Sequence, residues 1–195
     1  MYKNKQFIYT EKDAEKMFFT SDTHFGHENI IKYCNRPFKD IEEHDEELIK
    51  RWNSKVPEDG IVFHLGDVAF GNPQRVNEIL NQLNGTIYLV IGNHDWRSIV
   101  KNHWWRFREM TQQINMKIGK QHIILNHYPL LCFSGAFRKE NPTWQLFGHV
   151  HTSPYADSGL DTPRLVNLFP TQYDVGVDNN NFTPVSFNEL KTIIK

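Results

Sequence analysis

The first half of the chain contains three short apolar runs, and a cluster of polar residues follows each of them. The runs cover residues 17–20, 61–65 and 87–91, and the polar residues follow at once. Apolar runs of this length that are bounded by loop residues are typical of buried strands. The pattern therefore predicts three strands, each leading into a loop that carries polar side chains.

Apolar residues between these strands repeat at the spacing of an amphipathic helix. Leu48 and Trp52 mark a first helix, and Ile79 marks a second one behind an Asn72 cap and Pro73. The alternation of strand, polar loop and helix predicts an α/β fold with parallel strands. Because the carboxyl ends of parallel strands meet at one edge, we expect the polar loops to share one crevice.

The second half of the chain favours antiparallel pairing. Ile114, Met116 and Ile118 alternate with polar residues, residues 119–120 predict a hairpin turn, and residues 123–125 return. Further strands are predicted at 144–148, 165–168, 173–177 and 183–187, and a last helix at 188–195, capped by Ser186 or Asn188. We expect one domain over residues 1–195, with two sheets, helices outside them, and residues 1–16 as a short extension.

Composition and charge limit the kinds of partner that the protein is expected to bind. The chain carries 22 Lys and Arg residues against 23 Asp and Glu residues, a formal net charge of -1, so it lacks the basic field of a non-specific DNA-binding protein. Nucleic acid is expected only as a substrate. Cys34 and Cys132 have no spacing that suggests a disulfide framework or a thiolate metal site. No signal peptide or membrane span is recognisable, so we expect a cytoplasmic protein with no membrane partner.

Asp, Asn and His residues cluster directly after five apolar runs. They are Asp22 with His24, Asp67, Asn93 with His94, His127, and His149 with His151. A single such His is more often structural than a ligand, but five clusters at strand ends indicate a shared site. Carboxylate, amide and imidazole groups without thiolate suit hard to borderline divalent ions, and this set suffices for two of them. We expect Mn first, with Fe, Zn, Ni and Mg as alternatives.

The order of these residues along the chain is specific enough to compare with a known protein family. The motifs are Asp22-x-His24, Gly66-Asp67, Gly92-Asn93-His94-Asp95, His127 and Gly148-His149-x-His151. Together they resemble the calcineurin-like metallophosphoesterase superfamily, and in particular its small bacterial, archaeal and phage members. The resemblance covers residues 22–151 and implies a four-layer α/β/β/α sandwich of two mixed sheets with outer helices. The glycines that precede the ligands fit either a plain turn or a close backbone approach.

The resemblance also implies roles for these residues. Asp67 would bridge two ions, the first held also by Asp22, His24 and His151, and the second also by Asn93, His127 and His149. A metal hydroxide would attack phosphorus, and His94 would contact the phosphate and act as general acid toward the leaving oxygen. Asp95 would orient the His94 imidazole through its other ring nitrogen.

Other residues are candidate substrate contacts. His27 either lines the substrate side of the site or caps a helix that begins near Glu28. Arg36 follows the first motif and either grips a phosphate or is a solvated surface residue. Arg138 lies in a loop-like stretch, residues 128–141, that could act as a lid over the leaving group.

Four aromatic residues follow the third motif and have two interpretations. They are Trp96, Trp104, Trp105 and Phe107. Stacking on a nucleobase is one interpretation, and packing in the core or between helices is the favoured one.

The sequence is compatible with three functions. The leading hypothesis is a dinuclear phosphodiesterase that hydrolyses a small nucleotide-like ester, with a nuclease or nucleic-acid end-processing phosphatase as the alternative. A non-catalytic scaffold of the same fold is disfavoured because every expected ligand is present. Residues 66–71 continue Gly-Asp with Val-Ala-Phe-Gly, whereas the superfamily's protein phosphatases continue with Asp-Arg-Gly, which disfavours a phosphoprotein substrate.

Overall fold

The computed structural model describes residues 7–152 and 165–194. The strands in this part of the chain are β1 (Phe7–Tyr9), β2 (Met17–Thr20), β3 (Ile61–His64), β4 (Thr86–Val90), β5 (Glu109–Thr111), β6 (Gln113–Ile118), β7 (Gln121–Asn126), β8 (Trp144–Phe147), β9 (Gln172–Asp174) and β10 (Val185–Ser186). The α-helices are α1 (Glu11–Ala14), α2 (Glu28–Tyr33), α3 (Ile41–Lys55), α4 (Pro73–Gln82) and α5 (Phe187–Ile193). One π-helical turn spans Trp96–Val100, and 3-10 turns span Trp104–Arg106 and Val177–Asn179.

The first sheet has the strand order β10-β2-β3-β4-β5. Strands β2 to β5 are parallel, and β10 is antiparallel to β2. Helices α3 and α4 contribute Leu48, Trp52 and Ile79 to a buried cluster that also contains Val62 and Ile87 of the sheet. Because the central strands are buried on both faces, they are nearly continuous apolar runs in the sequence.

The second sheet has the order β1-β6-β7-β8-β9 and is also mixed. Strands β6 and β7 form the predicted antiparallel hairpin, while β7, β8 and β9 are parallel to one another. Ile114, Leu125 and Leu146 of this sheet belong to the same buried cluster as Phe19 and Phe63 of the first sheet. The predicted α/β class with two packed, mixed sheets is confirmed.

Two predictions at the margins of the fold are wrong. Residues 7–16 are not an extension, because β1 pairs in parallel with β6 and Phe7 is buried in the core between the sheets. A three-residue strand is too short to show a period in the sequence. Residues 165–168 form a turn rather than a strand, with the Leu168 amide donating to the Leu165 carbonyl at 3.1 Å.

The predicted helix starts are confirmed at α4 and α5. Asn72 accepts a hydrogen bond from the Gln74 amide, and Pro73 is the first residue of α4. Ser186 caps α5 through a capping box with Glu189, so the cap is Ser186 rather than Asn188. No helix in the described ranges is both long enough and apolar enough to cross a membrane.

Candidate metal centre

The polar clusters that follow five strands converge on one place. Two groups of three side chains each bring their potential ligand atoms to within 4.8 Å of one another. The first group is Asp22, His24 and His151, and the second group is Asp67, His127 and His149. The Oδ2 atom of Asp67 lies 3.7 Å from Nε2 of His24 and 3.7 Å from Nε2 of His127. This carboxylate therefore faces both groups, as a bridging ligand would.

The first group contains buried polar atoms that no protein atom satisfies. Oδ1 of Asp22 and Nε2 of His24 are buried, lie 3.9 Å apart, and have no hydrogen-bond partner in the described part of the chain. Such orphaned atoms each cost about 1–3 kcal/mol unless something pairs with them. Burial also lowers the pKa of His24 well below its ordinary value, so its ring is neutral and offers a lone pair. A divalent cation would satisfy both atoms, so the residues fit the expected metal.

The second group shows a comparable arrangement of acceptors. Nδ1 of His127 lies 2.7 Å from the Leu65 carbonyl oxygen, which can only accept, so Nδ1 carries the proton. Nε2 of His127 then faces Oδ1 of Asn93 at 2.9 Å as a second acceptor. Two acceptors at this distance need a shared partner, and a cation bound to both supplies it. Asn93 thus lies beside the second group, and its role as a ligand stays a prediction.

The backbone at the site is strained. Non-glycine residues in the left-handed region are uncommon and cost about 1–3 kcal/mol each. Five of the seven predicted ligands adopt this conformation, with φ of 58° at Asp22, 50° at His24, 57° at Asp67, 72° at His149 and 49° at His151. The fold therefore tolerates local strain in order to turn these side chains inward.

Two glycines are required by close approach rather than by a turn. A Cβ atom at Gly92 would overlap the Asp67 carboxylate, and one at Gly148 would overlap Ser21 and the Asp22 carboxylate. Any larger residue would displace a ligand, which favours the close-approach interpretation of these positions.

A buried ion pair contacts His151 of the first group, and the sequence did not reveal this pair. Oδ2 of Asp178 lies 2.8 Å from Nδ1 of His151, which leaves Nε2 of His151 facing Asp22. Arg36 donates to both carboxylate oxygens of Asp178 at 2.8 Å. Burial opposes ionisation of Asp178, but Arg36 and His151 outweigh it and lower the pKa to about 2. Cys34 lies beside His151 and Asp178, within 4.8 Å of their potential ligand atoms.

The predicted phosphate contact of Arg36 is not what the structure shows. Its side chain is buried, and besides Asp178 it donates to the carbonyl oxygens of Asp22 at 2.8 Å and Thr23 at 3.1 Å. The guanidinium thus lies behind the ligands, where it holds the loop that carries Asp22. The alternative interpretation as a solvated surface residue fails for the same reason.

Asp95 differs from its implied role as well. Its carboxylate accepts hydrogen bonds from the backbone amides of Val68 at 2.9 Å, Asp67 at 2.9 Å and Gly92 at 2.8 Å. It thus ties the loop after β3 to the loop after β4 and does not orient His94 through a ring nitrogen. Burial raises the pKa of Asp95 to about 6.

His94 lies on the open side of the site. Half of its side chain is exposed, and Nε2 lies 4.0 Å from Oδ2 of Asp67. Its backbone amide donates to Oδ1 of Asp67 at 3.0 Å, which fixes the loop against the Asp67 carboxylate. The imidazole contacts the ring of Phe70, with centroids 5.1 Å apart.

The other two candidate substrate contacts differ in position. His27 stacks on Phe70 at 4.4 Å and does not cap α2 with its side chain, and its Nδ1 lies 3.1 Å from Nδ1 of His24 in the first group. Arg138 instead lies near His122, whose pKa is lowered first by burial and then by this cation. His122 is at the start of β7 and His127 follows its end, roughly 16 Å away along the strand. Arg138 therefore does not face the metal centre.

The start of the loop that follows His127 is anchored, whereas Leu131 and Phe137 further along it are exposed. The buried side chain of Gln145 donates to the Tyr128 carbonyl at 3.2 Å, and Gln172 donates to the Leu130 carbonyl at 2.9 Å. Both bonds tie the loop to strands β8 and β9.

The aromatic residues after the third motif divide in two. Phe107 is buried in the core as predicted, but the tryptophans are exposed. Their exposed fractions are 51% for Trp96, 61% for Trp104 and 53% for Trp105. The core interpretation is wrong for all three, because Ile99 and Phe107 fill the core positions of this segment.

Comparisons with known proteins agree with this geometry. The family described as calcineurin-like phosphoesterase matches residues 16–132. An uncharacterized protein of Methanocaldococcus jannaschii is 34% identical over 182 residues, which are 92% of this chain and 92% of that protein. The gene 66 protein of Mycobacterium phage L5 is 29% identical over 130 residues, 57% of this chain and 62% of that protein.

A solved structure extends the similarity to the whole fold. The crystal structure of a protein of unknown function from Aquifex aeolicus superimposes with a TM-score of 0.68 and 25% sequence identity. The match covers 91% of this chain and 98% of that one. With the family match over residues 16–132, these findings show that the chain belongs to the calcineurin-like phosphoesterase family.

Proposed function

We propose that this protein is a dinuclear metal-dependent phosphodiesterase that hydrolyses a small nucleotide-like phosphate ester. The observation that carries the proposal is the pair of ligand groups joined by Asp67, whose Oδ2 atom is 3.7 Å from an imidazole nitrogen of each group. The orphaned atoms of Asp22 and His24 support it further. We also propose a cytoplasmic location, which stays a prediction.

The ligands divide between two ions. Asp22, His24 and His151 would hold one, Asn93, His127 and His149 the other, and Asp67 would bind both. When bound, two such ions would neutralise charge on a phosphoryl group and lower the pKa of the attacking water. Mn is the ion we expect first, since oxygen and imidazole ligands without thiolate suit it.

His94 is proposed as the general acid. Its half-exposed ring projects on the open side of the bridging carboxylate, where a leaving oxygen would emerge. The amide bond from His94 to Asp67 fixes the start of that side chain. Asp95 supports the same geometry through the backbone, since it binds the amides of Asp67 and Gly92. Asp95 is therefore a positioning residue in this proposal.

A diester suits the site better than a monoester. A monoester carries two negative charges near neutral pH, and an arginine fork is the usual group that binds the second one. Arg36 is committed to Asp178 behind the predicted ligands and cannot supply that fork, and Arg97 lies in a cleft beside His94 rather than among the predicted ligands. A nuclease or nucleic-acid end-processing enzyme is the second candidate, and the exposed tryptophans that follow His94 favour it.

Hydrolysis of paired aryl esters tests the proposal. Metal-stripped protein is given Mn, Ni, Zn, Fe or Mg separately, with bis(p-nitrophenyl) phosphate and p-nitrophenyl phosphate as substrates. We expect metal-dependent turnover and a higher kcat/KM for the diester. A His122→Gln variant, altered at the far end of β7, is the matched control and should behave as wild type. Binding of two metals without turnover of either ester would favour the scaffold, and a preference for the monoester would overturn the diester assignment.

A further inference from the structure

A cleft opens directly beside His94 and continues away from the ligand groups. It has a volume of about 570 Å³ and is named here the Trp96 cleft. Its lining residues are Phe70, Gly71, Asn93, His94, Trp96, Arg97, Ser98 and Asn102. The cleft shares Asn93 and His94 with the metal centre, so an occupant of the cleft would also reach the reacting atoms.

The lining combines an exposed aromatic face with a free cation. Trp96 is 51% exposed although it has a large apolar ring, and such a ring gains free energy when a partner covers it. Arg97 is its neighbour in the chain, is exposed, and has no acidic partner among residues 7–152 and 165–194. An aromatic plane next to an unpaired arginine suits a planar base that is joined to a phosphate.

The position of the cleft beside His94 identifies which part of the substrate enters the cleft. This step rests on the proposed function, in which His94 gives its proton to the leaving oxygen. Because His94 lines the cleft, the group attached to that oxygen is the one that enters it. We infer that the Trp96 cleft binds the leaving nucleoside of a nucleotide diester, with its base on Trp96 and beside Arg97.

The chemistry balances with water as the only co-reactant. The attacking water loses one proton, and its oxygen bonds to phosphorus. The bond from phosphorus to the nucleoside oxygen breaks, its electron pair stays on that oxygen, and the oxygen takes the proton of His94. The proton that the water lost restores His94, so the products are a terminal phosphate and a free nucleoside hydroxyl.

Trp96→Ala tests the inference, with Trp104→Ala as a matched control. Trp104 is an exposed tryptophan of the same segment that does not line the cleft. Binding of the dinucleotide thymidylyl-thymidine to metal-stripped protein is measured by calorimetry. Turnover with metal is measured as the ratio of kcat/KM for this dinucleotide to that for thymidine 3′-methyl phosphate. Both substrates have the same phosphoryl group, but the second has methanol in place of the leaving nucleoside.

Loss of one stacking contact predicts that Trp96→Ala weakens binding and lowers the ratio by roughly 5–150-fold. Trp96→Phe should restore most of both values, and Trp104→Ala should stay within about twofold of wild type. Equal values for Trp96→Ala and wild type, or an equal loss in Trp104→Ala, would overturn the inference. Hydrolysis of the aryl diester without binding of the dinucleotide would also overturn it, while the proposed function stood. If no ester is hydrolysed with any ion, the proposed function fails, and the calorimetry still decides whether the cleft takes a nucleoside.

Discussion

The first ligand group lies against buried charges, whereas the second lies against a backbone carbonyl and borders the exposed Asn93. Behind His151 are Asp178 and Arg36, both buried and bonded to each other at 2.8 Å. Behind His127 is the carbonyl oxygen of Leu65, at 2.7 Å. Asn93, whose Oδ1 faces Nε2 of His127 at 2.9 Å, is exposed.

In the proposed function, the buried network behind the first group holds a metal, whereas the exposed residues near the second group receive the substrate. A buried and fully paired network fixes ring orientation, and breaking it is expensive because a charge is then left unpaired. The exposed Asn93 and His94 instead border the Trp96 cleft. We therefore expect substitutions behind the first group to act on metal affinity, and those at His94 and in the Trp96 cleft to act on turnover.

Asp67→Ala should have the largest effect, because Asp67 is the carboxylate that faces both groups. We expect loss of both ions, measured as metal content after dialysis, and loss of all metal-dependent hydrolysis. Asp59→Ala removes an exposed carboxylate elsewhere and serves as the control. A variant that retains full activity would remove the bridging assignment.

His94→Ala should leave metal content intact and act on the chemical step. Loss of a general acid lowers turnover by about 10²–10⁴-fold, most with a poor leaving group such as an alkoxide. Comparing an alkyl diester with an aryl diester measures this difference directly. Equal rates of wild type and variant on the alkyl diester would refute the role of His94.

Asp178→Asn should weaken the first site alone. The loss of a charged acceptor behind a ligating imidazole typically lowers metal affinity by about 10–100-fold. Titration should show one weakened and one unchanged binding event. The variant also leaves Arg36 buried without its ion-pair partner, so the double variant Arg36→Gln with Asp178→Asn is measured beside it. A defect that disappears in the double variant would mean that Asp178 acts only through stability.

The convergence of the seven predicted ligands was foreseeable from the sequence because each follows an apolar strand in a short local motif. The support of the first group was not, since Arg36 and Asp178 are 142 positions apart and no local pattern joins them. Asp95 shows another limit of sequence reasoning. Its motif gave its position correctly, but its partners are three backbone amides that only the folded loops bring together. The exposure of Trp96 was likewise not predictable, because it depends on which neighbouring residues fill the core.

One histidine joins the loops of both groups from below. His64 is fully buried, and its Nδ1 accepts from the Gly66 amide at 3.2 Å. Nε2 must then carry the proton, and it donates to Oγ1 of Thr23 at 2.9 Å. That hydroxyl donates in turn to the Val68 carbonyl at 2.8 Å. The network connects the loop of the first group to that of the second, and it requires a neutral imidazole.

His64→Asn should have the smallest effect, seen in the pH dependence of stability. Burial lowers the pKa of His64 from 6.5 to about 3, so the unfolded chain binds the extra proton between these values. The stabilisation is complete above the unfolded pKa of 6.5 and falls as pH drops toward 3, by up to about 1.4 kcal/mol per pH unit. Urea unfolding of metal-free protein at pH 7, 6 and 5 should therefore show a shallower loss in the variant. Since Asn retains an acceptor for the Gly66 amide, parallel losses in variant and wild type would mean that His64 already binds a proton in the folded state.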